Sequence, residues 1–234
     1  MVKSRDIYND EDLQKLYNKK YFLTRSRPLM WKRRAEFIAE KFNPKTALDV
    51  GCSMGELTKS LDELGIESYG IDGSEYALSQ ADKSIKEKLF KVNFNSDKFP
   101  FDNKKFDFIG GFYSVEHIHN IEFFSNELRR VLKDDGIIWF LTPNVGIEGR
   151  NSVDVFTNTV DEWKKIFNKF GFDFKKFSPH EMMVLKGKLR KFHFYNLPNP
   201  IQNVIKKIAY SYSNKGNEIM MKDTSFILTK NTHD

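Results

Sequence analysis

The sequence predicts an α/β fold: a doubly wound, mostly parallel seven-stranded sheet with a helical N-terminal extension and an insertion before the last strand. Short apolar segments alternate with segments of helical periodicity, which is typical of a parallel sheet covered by helices on both faces. The chain has 234 residues, 40% of them hydrophobic, and this is enough for one large core. Charged residues make up 30%, which excludes low-complexity and strongly disordered classes.

The sequence indicates neither a membrane-spanning nor a secreted protein. No apolar run approaches the roughly 20 residues of a membrane-spanning helix, and the start of the chain lacks the apolar segment of a secretory signal. The single cysteine, Cys52, excludes an internal disulfide and a cysteine-rich zinc site. We therefore expect a cytoplasmic protein.

Residues 1–45 are predicted to form the helical N-terminal extension, or cap. An apolar stripe at helical spacing consists of Trp31, Ala35, Ile38 and Phe42. Pro28 suits the first turn of this helix, and Asn43-Pro44 ends it. The periodicity changes after this point, so residues 46–234 are expected to form the main domain.

The alternation of strands and helices begins at residue 46. Predicted strands cover 46–50, 67–72, 89–94, 106–112, 137–142, 172–177 and 225–230. Ser74 is predicted to cap one intervening helix, and Thr159 with Glu162 forms a capping box for the last one. The stretch Asp134-Asp135-Gly136 has the composition of a turn, so the fifth strand is expected to begin after it.

Residues 178–222 form the insertion, and they are strongly basic. They contain eight lysines and arginines against two glutamates, so they account for the whole net charge of +6. One interpretation is an anionic partner, either phosphate, anionic lipid or nucleic acid, and the other is a solvated lysine-rich surface. An apolar stripe that begins at Ile201 and Val204 is most often a core-covering face. It is also compatible with a substrate lid, a subunit contact or a peripheral helix on a membrane.

The turn after the first strand is the first candidate for a ligand site. In an open α/β sheet, ligands bind beyond the carboxyl ends of the strands, where the strand order reverses. The segment DVGCSMG starts at Asp49, and Gly51 and Gly55 allow a ligand to approach the backbone closely. Asp72 closes the second strand, where a carboxylate can accept hydrogen bonds from both hydroxyls of a ribose. This spaced pair of carboxylates predicts an adenosine-containing ligand.

A nicotinamide or flavin dinucleotide is disfavoured as that ligand. Gly51, Ser53 and Gly55 do not reproduce the G-x-G-x-x-G spacing, and the charge of Glu56 at the helix start would repel a pyrophosphate. A P-loop is excluded because no Gly-Lys-Ser/Thr sequence follows the turn.

In its motifs the sequence resembles the class I S-adenosylmethionine-dependent methyltransferases, closest to the type 11-like, small-molecule branch that includes quinone and sterol methyltransferases. The resemblance covers residues 46–177 in order and spacing. ALDVGCSMG is similar to the D-x-G-x-G-x-G of the first motif, with Ser53 at the middle glycine, and YGIDGS is similar to the ribose-binding strand end. Further similar stretches are FPFDNKKFDFI, SVEHIHN, LTPN and DEWKKIFNKFGF.

The resemblance implies a Rossmann-like methyltransferase fold and S-adenosylmethionine as the methyl donor. Residues that it places around the methionine moiety are Asp49, Gly51, Cys52, Ser53 and Gly55. It places Asp72 and Gly73 at the ribose, and Asn93 with Phe94 at the adenine, with Asn95 as the alternative. Phe112 would lie beside the sulfonium, although Phe94 and Phe112 are equally typical of core residues. We interpret the Cys52 thiol as a packing group because no base clusters with it.

A general base is needed only if the acceptor must lose a proton. The candidates are His117, His119, His180 and His193, and His117 ranks first by its position near the carboxyl edge of the sheet. A structural histidine is the alternative for each. No metal is expected, because the E-x-x-E-H metal motif of some related quinone methyltransferases aligns with Tyr113–His117, which lacks the first carboxylate.

Three functions are compatible with the sequence. The leading one is methyl transfer to oxygen or nitrogen of a small acceptor, with the basic insertion favouring an anionic, phosphate-bearing or lipid-linked one. An RNA or protein methyltransferase is compatible with the isoelectric point near 9.1. No specific nucleic acid is expected, however, because the fourth strand ends in GGFYSVEH and no RNA-binding module is recognisable. A non-catalytic cofactor-binding protein is the third possibility.

Overall fold

The computed structural model describes residues 28–143, 158–177, 200–201, 204 and 223–231. Its helices are α1 (Pro28–Phe42), α2 (Glu56–Asp62), α3 (Glu75–Ser79), α4 (Ile121–Val131) and α5 (Val160–Lys169). Its strands are β1 (Thr46–Val50), β2 (Glu67–Asp72), β3 (Leu89–Lys91), β4 (Phe106–Phe112), β5 (Leu132–Pro143), β6 (Phe172–Lys176) and β7 (Asp223–Lys230). Short 3₁₀ helices cover Lys86–Lys88 and Val115–His117.

The seven strands form one sheet in the order β3-β2-β1-β4-β5-β7-β6. Strands β1 to β5 run parallel, and β7 runs antiparallel between β5 and β6. This confirms the predicted doubly wound, mostly parallel α/β fold. The strand order reverses between β1 and β4, so a crevice opens there at the carboxyl ends of the strands.

The sheet has an apolar core on each face. One core contains Phe124 and Leu128 of α4 and Trp163 and Phe167 of α5, packed on strand residues such as Ile109. The adjacent β4 residues Phe108 and Ile109 lie in different cores because successive side chains of a strand point to opposite faces.

Helix α1 contributes to the second core. Ala35 and Ile38 are fully buried there with Leu57 and Leu61 of α2 and Trp139 of β5. The part of the N-terminal extension that is described therefore packs directly on the sheet. Residues 1–27 and most of the insertion 178–222 lie outside the described residues.

The helix ends follow the predicted local signals. The Ser74 hydroxyl accepts the Ala77 N–H at the start of α3, and Thr159 and Glu162 form the reciprocal capping box of α5. Gly171 ends α5 with a φ of 78°, a left-handed conformation that suits a residue without a Cβ atom. In the described part of the chain, no helix is long and apolar enough to cross a membrane.

The predicted turn at 134–136 was wrong, because β5 already begins at Leu132. Leu132 pairs with Phe106, whereas the next pair is Ile137 with Phe108, so the extra residues are accommodated as an irregularity within the strand pair. Asp134 in this bulge is exposed and bonds to Lys104 and Lys230. The turn-forming sequence Asp134-Asp135-Gly136 therefore lies within β5, because the strand pairs with β4 on both sides of it.

Strand β3 is shorter than predicted and ends at Lys91 instead of residue 94. Asn93 Oδ1 accepts the Asn95 N–H, and Asp97 accepts the Asn93 N–H at 2.9 Å. The backbone N–H groups of Asn93 and Asn95 thus donate to side chains and not to a neighbouring strand, so β3 ends and the chain turns here.

Candidate functional site

Predicted ligand-binding residues lie together at the carboxyl edge of the sheet. Asp49 belongs to β1, Asp72 ends β2 and Phe112 ends β4. These three strands are neighbours in the order β2-β1-β4, and Asp49 pairs in register with Gly70 and Gly110. The fold thus brings together side chains that are 63 positions apart at most in the sequence.

The turn between β1 and α2 requires a left-handed backbone at three residues. Gly51, Ser53 and Gly55 have φ values of 78°, 53° and 72°. A Cβ atom on Gly51 would lie 2.6 Å from Ser114 Cβ, and one on Gly55 would lie 2.5 Å from Ile85 Cδ1. The two glycines are therefore required by both conformation and space, and Ser53 adopts the same left-handed conformation although it is not a glycine.

Asp72 anchors this turn. Its Oδ2 accepts the Ser53 N–H at 2.8 Å, and its Oδ1 accepts the Ser74 N–H at 2.8 Å. Burial raises the pKa of Asp72, whereas these two hydrogen bonds act in the opposite direction. Each carboxylate oxygen has a further lone pair, so the group can still accept hydrogen bonds from a ligand. Gly73 follows, and a Cβ atom there would meet only the Val92 carbonyl oxygen, at the ordinary contact distance of 3.8 Å.

Asp49 is a buried carboxylate with an unusual ionisation. Its side chain is 5% exposed, and its Oδ2 accepts the Thr58 hydroxyl at 3.4 Å. Burial, followed by the nearby charge of Asp72, raises the pKa of Asp49 to about 7, while Thr58 and Arg34 act in the opposite direction. An anion of this kind would be stabilised by a cationic group in the crevice.

Arg34 of α1 is a further charged residue of this region that the sequence analysis missed. It is 1% exposed, and its Cζ lies 4.7 Å from the Trp31 ring centre and 4.3 Å from that of Phe112. Neither its Nε nor its Nη1 has a hydrogen-bond partner in the part of the chain that is described. The available signal was its spacing, because Arg34 lies three positions after Trp31 and four before Ile38, on the apolar face of the helix.

Cys52 packs inside the turn. Its side chain is 6% exposed and lies against Gly70, where an added Cβ would be 2.7 Å from Cys52 Sγ. Burial, with the charges of Asp72 and Asp49, raises the pKa of the thiol well above its ordinary value. This environment supports the interpretation of Cys52 as a packing residue.

The loop after β3 distinguishes the two asparagines proposed for the adenine. Asn95 Oδ1 accepts the backbone N–H groups of His119 and Asn120, each at 2.9 Å, so its side chain ties this loop to the one after β4. Asn93 is exposed, and Phe94 is half-buried against Phe99 and Phe124. The geometry favours Asn93 over Asn95 as a ligand contact, and both roles remain predictions.

Phe112 lies in an aromatic cluster, and the next residue forms a cross-sheet contact. The Phe112 ring is 6.0 Å from Trp31 and 5.0 Å from Trp139, between ring centres. Tyr113 has a φ of 62°, and its hydroxyl donates to Asp223 Oδ2 at 2.7 Å. Burial and the Asp223 charge raise the pKa of the Tyr113 hydroxyl. No local sequence signal predicts a pair that is 110 positions apart.

His117, the preferred base, lies in the 3₁₀ helix after β4, and its side chain is 25% exposed. Its Nε2 is 4.0 Å from Oε1 of the buried Glu116.

The start of α4 is capped by Asn120, which accepts the Phe123 N–H. His180 and His193 lie outside the described residues. Among the residues that are described, no three His, Cys, Asp or Glu side chains are grouped to hold a metal ion.

The sequence is similar to a known protein family and to known proteins. Residues 48–140 match the family described as "Methyltransferase domain". A ubiquinone biosynthesis O-methyltransferase of Pelagibacter ubique is 31% identical over 144 residues, which are 60% of this chain and 59% of that protein. The chain therefore spans less than two thirds of the length of that relative.

Solved structures are similar over most of the chain. A SAM-dependent methyltransferase from Archaeoglobus fulgidus has a TM-score of 0.61 at 18% identity, over 89% of this chain and 97% of that one. An O-methyltransferase from a polyketide synthase of Brevibacillus brevis, in complex with S-adenosyl-L-homocysteine, has a TM-score of 0.58 at 20% identity, over 94% of this chain and 78% of that one. At these identities the similarity shows a shared fold.

Proposed function

We propose, on the premise that residues 48–140 form a class I S-adenosylmethionine-dependent methyltransferase domain, that this chain transfers a methyl group from S-adenosylmethionine to a small-molecule acceptor. An oxygen of the acceptor is the favoured target, because the curated relative is an O-methyltransferase, and a nitrogen is the alternative. The observation that carries the proposal is the single hydrogen-bonded unit formed by the turn after β1 and the Asp72 carboxylate at the end of β2.

The residues at this edge fit the proposed cofactor. Gly51 and Gly55 form a turn in which added side chains would clash, so the backbone itself would line the methionine moiety. Asp72 retains lone pairs for the ribose hydroxyls, and a Cβ atom on Gly73 beside it would meet only the Val92 carbonyl oxygen, at 3.8 Å. Asn93, exposed at the start of the loop after β3, is the proposed contact of the adenine.

Catalysis in this proposal depends mainly on position. When bound, the cofactor supplies a methyl group on a positively charged sulfur, which is electrophilic without further activation. The aromatic cluster at Phe112 would exclude water and align the acceptor, which can contribute several kcal/mol. His117 is proposed to accept a proton if the acceptor is a hydroxyl, and its partial exposure is compatible with that role.

The acceptor is proposed to be anionic, with phosphate-bearing and lipid-linked compounds as the candidates. The support is the charge of the insertion 178–222, which lies outside the described residues apart from Pro200, Ile201 and Val204. Joint replacement of Lys186, Lys188, Arg190 and Lys191 by alanine should raise the KM for such an acceptor and leave cofactor binding unchanged. An unchanged KM would contradict the anionic acceptor.

Calorimetry and isotope transfer test the proposed function. S-adenosylmethionine and S-adenosylhomocysteine should bind with one site each, and NADH should not bind. Incubation of the protein with a small-molecule extract and a methyl-labelled donor should then yield a labelled product. Absence of binding by both sulfur nucleosides would overturn the proposal, and binding without any labelled product would favour a non-catalytic cofactor-binding protein.

A further inference from the structure

Tyr113 and Asp223 form a hydrogen-bonded pair at the carboxyl edge of the sheet, and no step of the proposed function uses it. Tyr113 directly follows β4, and its backbone N–H donates to the Leu141 carbonyl of β5 at 2.7 Å. Asp223 begins the antiparallel β7 and pairs with Pro143 at the end of β5. The bond of 2.7 Å from Tyr113 Oη to Asp223 Oδ2 therefore passes across the end of β5 and joins two strands that are not neighbours.

Stability does not explain this pair. Tyr113 has a φ of 62°, and among the described residues it is the one aromatic side chain on a left-handed backbone. This conformation costs free energy in a residue with a Cβ atom, whereas a hydrogen bond that is exposed to solvent contributes little net stability. Strained residues of this kind are concentrated at sites that bind ligands or react.

The pair lies near the aromatic cluster at Phe112 and can be reached from solvent. The Arg34 guanidinium is 4.3 Å from the Phe112 ring centre. Burial lowers the pKa of Arg34 to about 10, and Tyr113 and Asp223 are among the groups that act in the opposite direction, so both lie within electrostatic range of it. Tyr113 is 39% exposed, in contrast to Phe112 at 5%. A ligand at the aromatic cluster can therefore contact the Tyr113 hydroxyl.

The bond to Asp223 leaves the Tyr113 oxygen with one role toward a ligand. A phenol hydroxyl has one hydrogen to donate and lone pairs that accept. Because its hydrogen is donated to the carboxylate, Tyr113 Oη can only accept, and donation to a charged group strengthens it as an acceptor. Burial and the Asp223 charge raise the pKa of the Tyr113 hydroxyl, so this hydrogen is retained.

We propose that Tyr113 Oη accepts a hydrogen bond from an O–H or N–H group of the methyl acceptor, and that Asp223 is the positioning residue that fixes this polarity. The inference rests on the proposed function and deepens it, because it names a chemical group that the acceptor must carry. An ether oxygen at the same place would set its lone pairs against those of Tyr113. The pair thus selects a molecule with a hydrogen to donate over the same molecule in methylated form.

Phenol and anisole are matched probes for this contact, because they differ only in the methyl group that replaces the hydroxyl hydrogen. Ligand-observed NMR titration measures the Kd of each, with and without saturating S-adenosylhomocysteine. The variants are Tyr113→Phe and Asp223→Ala. The matched control is Tyr69→Phe, since Tyr69 donates to Glu67 at 2.8 Å in a similar pair but packs on the core that does not contain Phe112.

The wild-type protein should bind phenol about 3- to 10-fold more tightly than anisole, as one hydrogen bond provides. Tyr113→Phe should lose this preference, because no oxygen then receives the phenol hydrogen. Asp223→Ala should reduce it by strengthening anisole binding, since the released Tyr113 hydrogen can be donated to the ether oxygen. Tyr69→Phe should keep the wild-type ratio of the two Kd values.

A purely structural role for the pair predicts lower Tm values for both variants and an unchanged ratio of the two Kd values. That result would overturn the proposal, as would wild-type protein that binds anisole as tightly as phenol or binds neither. If Asp223→Ala does not fold, Asp223→Asn provides the comparison, because its amide can donate to Tyr113 Oη and release the tyrosine hydrogen. An intermediate ratio in that variant would support the positioning role, and an unchanged ratio would contradict it.

Failure of the proposed function gives a different result, because S-adenosylhomocysteine would then not bind to the wild-type protein. The preference for phenol and its loss in Tyr113→Phe are also measured without the nucleoside. The contact at Tyr113 is therefore tested whether or not the nucleoside binds.

Discussion

At the scale of single residues, Asp49 should control how stability depends on pH. Its pKa is raised by burial to about 7 in the folded protein, whereas an unfolded chain has the ordinary value of about 3.9. Between these values the native state retains a proton that the unfolded state has lost, so the free energy of unfolding falls as pH rises from about 4 to 7. Above about pH 7, Asp49 is ionised in both states, so its contribution to the free energy of unfolding no longer changes with pH.

Asp49→Asn should therefore be more stable than the wild type at pH 8, by roughly 2–4 kcal/mol, and equally stable near pH 4. Urea unfolding of both proteins across this range measures the difference. The affinity for the proposed cofactor should depend on pH with the opposite sign, because only the ionised Asp49 carboxylate would attract the positive charge of the methionine moiety. The wild-type affinity for S-adenosylhomocysteine should thus increase from pH 6 to pH 8. A pH-independent difference in stability would contradict the raised pKa.

Cys52 provides a second prediction at this scale. Because the thiol is buried and its pKa is raised, the native protein should react with a thiol reagent at least about a hundredfold more slowly than the protein in denaturant. With a reagent that releases a chromophore when it reacts with a thiol, the absorbance measures the reaction rate of the native protein and that of the protein in denaturant. Cys52→Ala should retain methyl transfer, since the proposed chemistry does not use the sulfur. Loss of turnover in a folded Cys52→Ala protein would indicate instead that the thiol takes part in the reaction.

At the scale of elements, the loops after β3 and β4 are joined through one amide. Asn95→Ala removes the acceptor of two backbone N–H groups and should lower the free energy of unfolding by about 1–3 kcal/mol. Asn93→Ala should change stability by less than about 1 kcal/mol and weaken S-adenosylhomocysteine about tenfold. Chemical unfolding and calorimetry of the two variants measure these effects. The reverse pattern would assign the adenine to Asn95.

The sequence predicted most elements because their signals are local. Strand β1 was found with its observed ends, since a strand buried on both faces is a continuous apolar run bounded by turn residues. The start of β5 was missed because pairing with β4 overrides the turn composition of Asp134-Asp135-Gly136. For the same reason the pairing of Tyr113 with Asp223 could not be predicted, as it depends on how β4 and β7 meet in the sheet.

At the scale of the whole molecule, α1 belongs to the same core as the sheet. Ile38→Ala removes a fully buried side chain and should lower the free energy of unfolding by about 2–5 kcal/mol, with one cooperative transition. Glu40→Ala, exposed on the same helix, should change it by less than about 0.5 kcal/mol. Urea denaturation followed by circular dichroism measures both. A separate early transition in Ile38→Ala would show instead that the N-terminal helix unfolds independently.

In the candidate site too, features that follow from strand order could be predicted, and contacts that depend on helix packing could not. The proximity of Asp49, Asp72 and the turn glycines was predicted because they fall at the ends of neighbouring parallel strands, where topology fixes their positions. The position of Arg34 was not predicted, because its burial against Phe112 depends on which residues the buried face of α1 meets. A charged residue on an apolar helical stripe is the local sign that marks such positions.

The Asp72 carboxylate is shared between the protein's own loop and the crevice, which limits how this domain could be re-engineered for another nucleoside. Its two oxygens fix the backbone at Ser53 and Ser74. Replacement of this side chain alone would remove the hydrogen bonds to both loop segments, together with the proposed contact to the ribose. A change of cofactor preference would therefore require coordinated substitutions at Asp72, Ser53 and Ser74. A substitution of Asp72 alone would impair the binding of the original nucleoside and of the intended one.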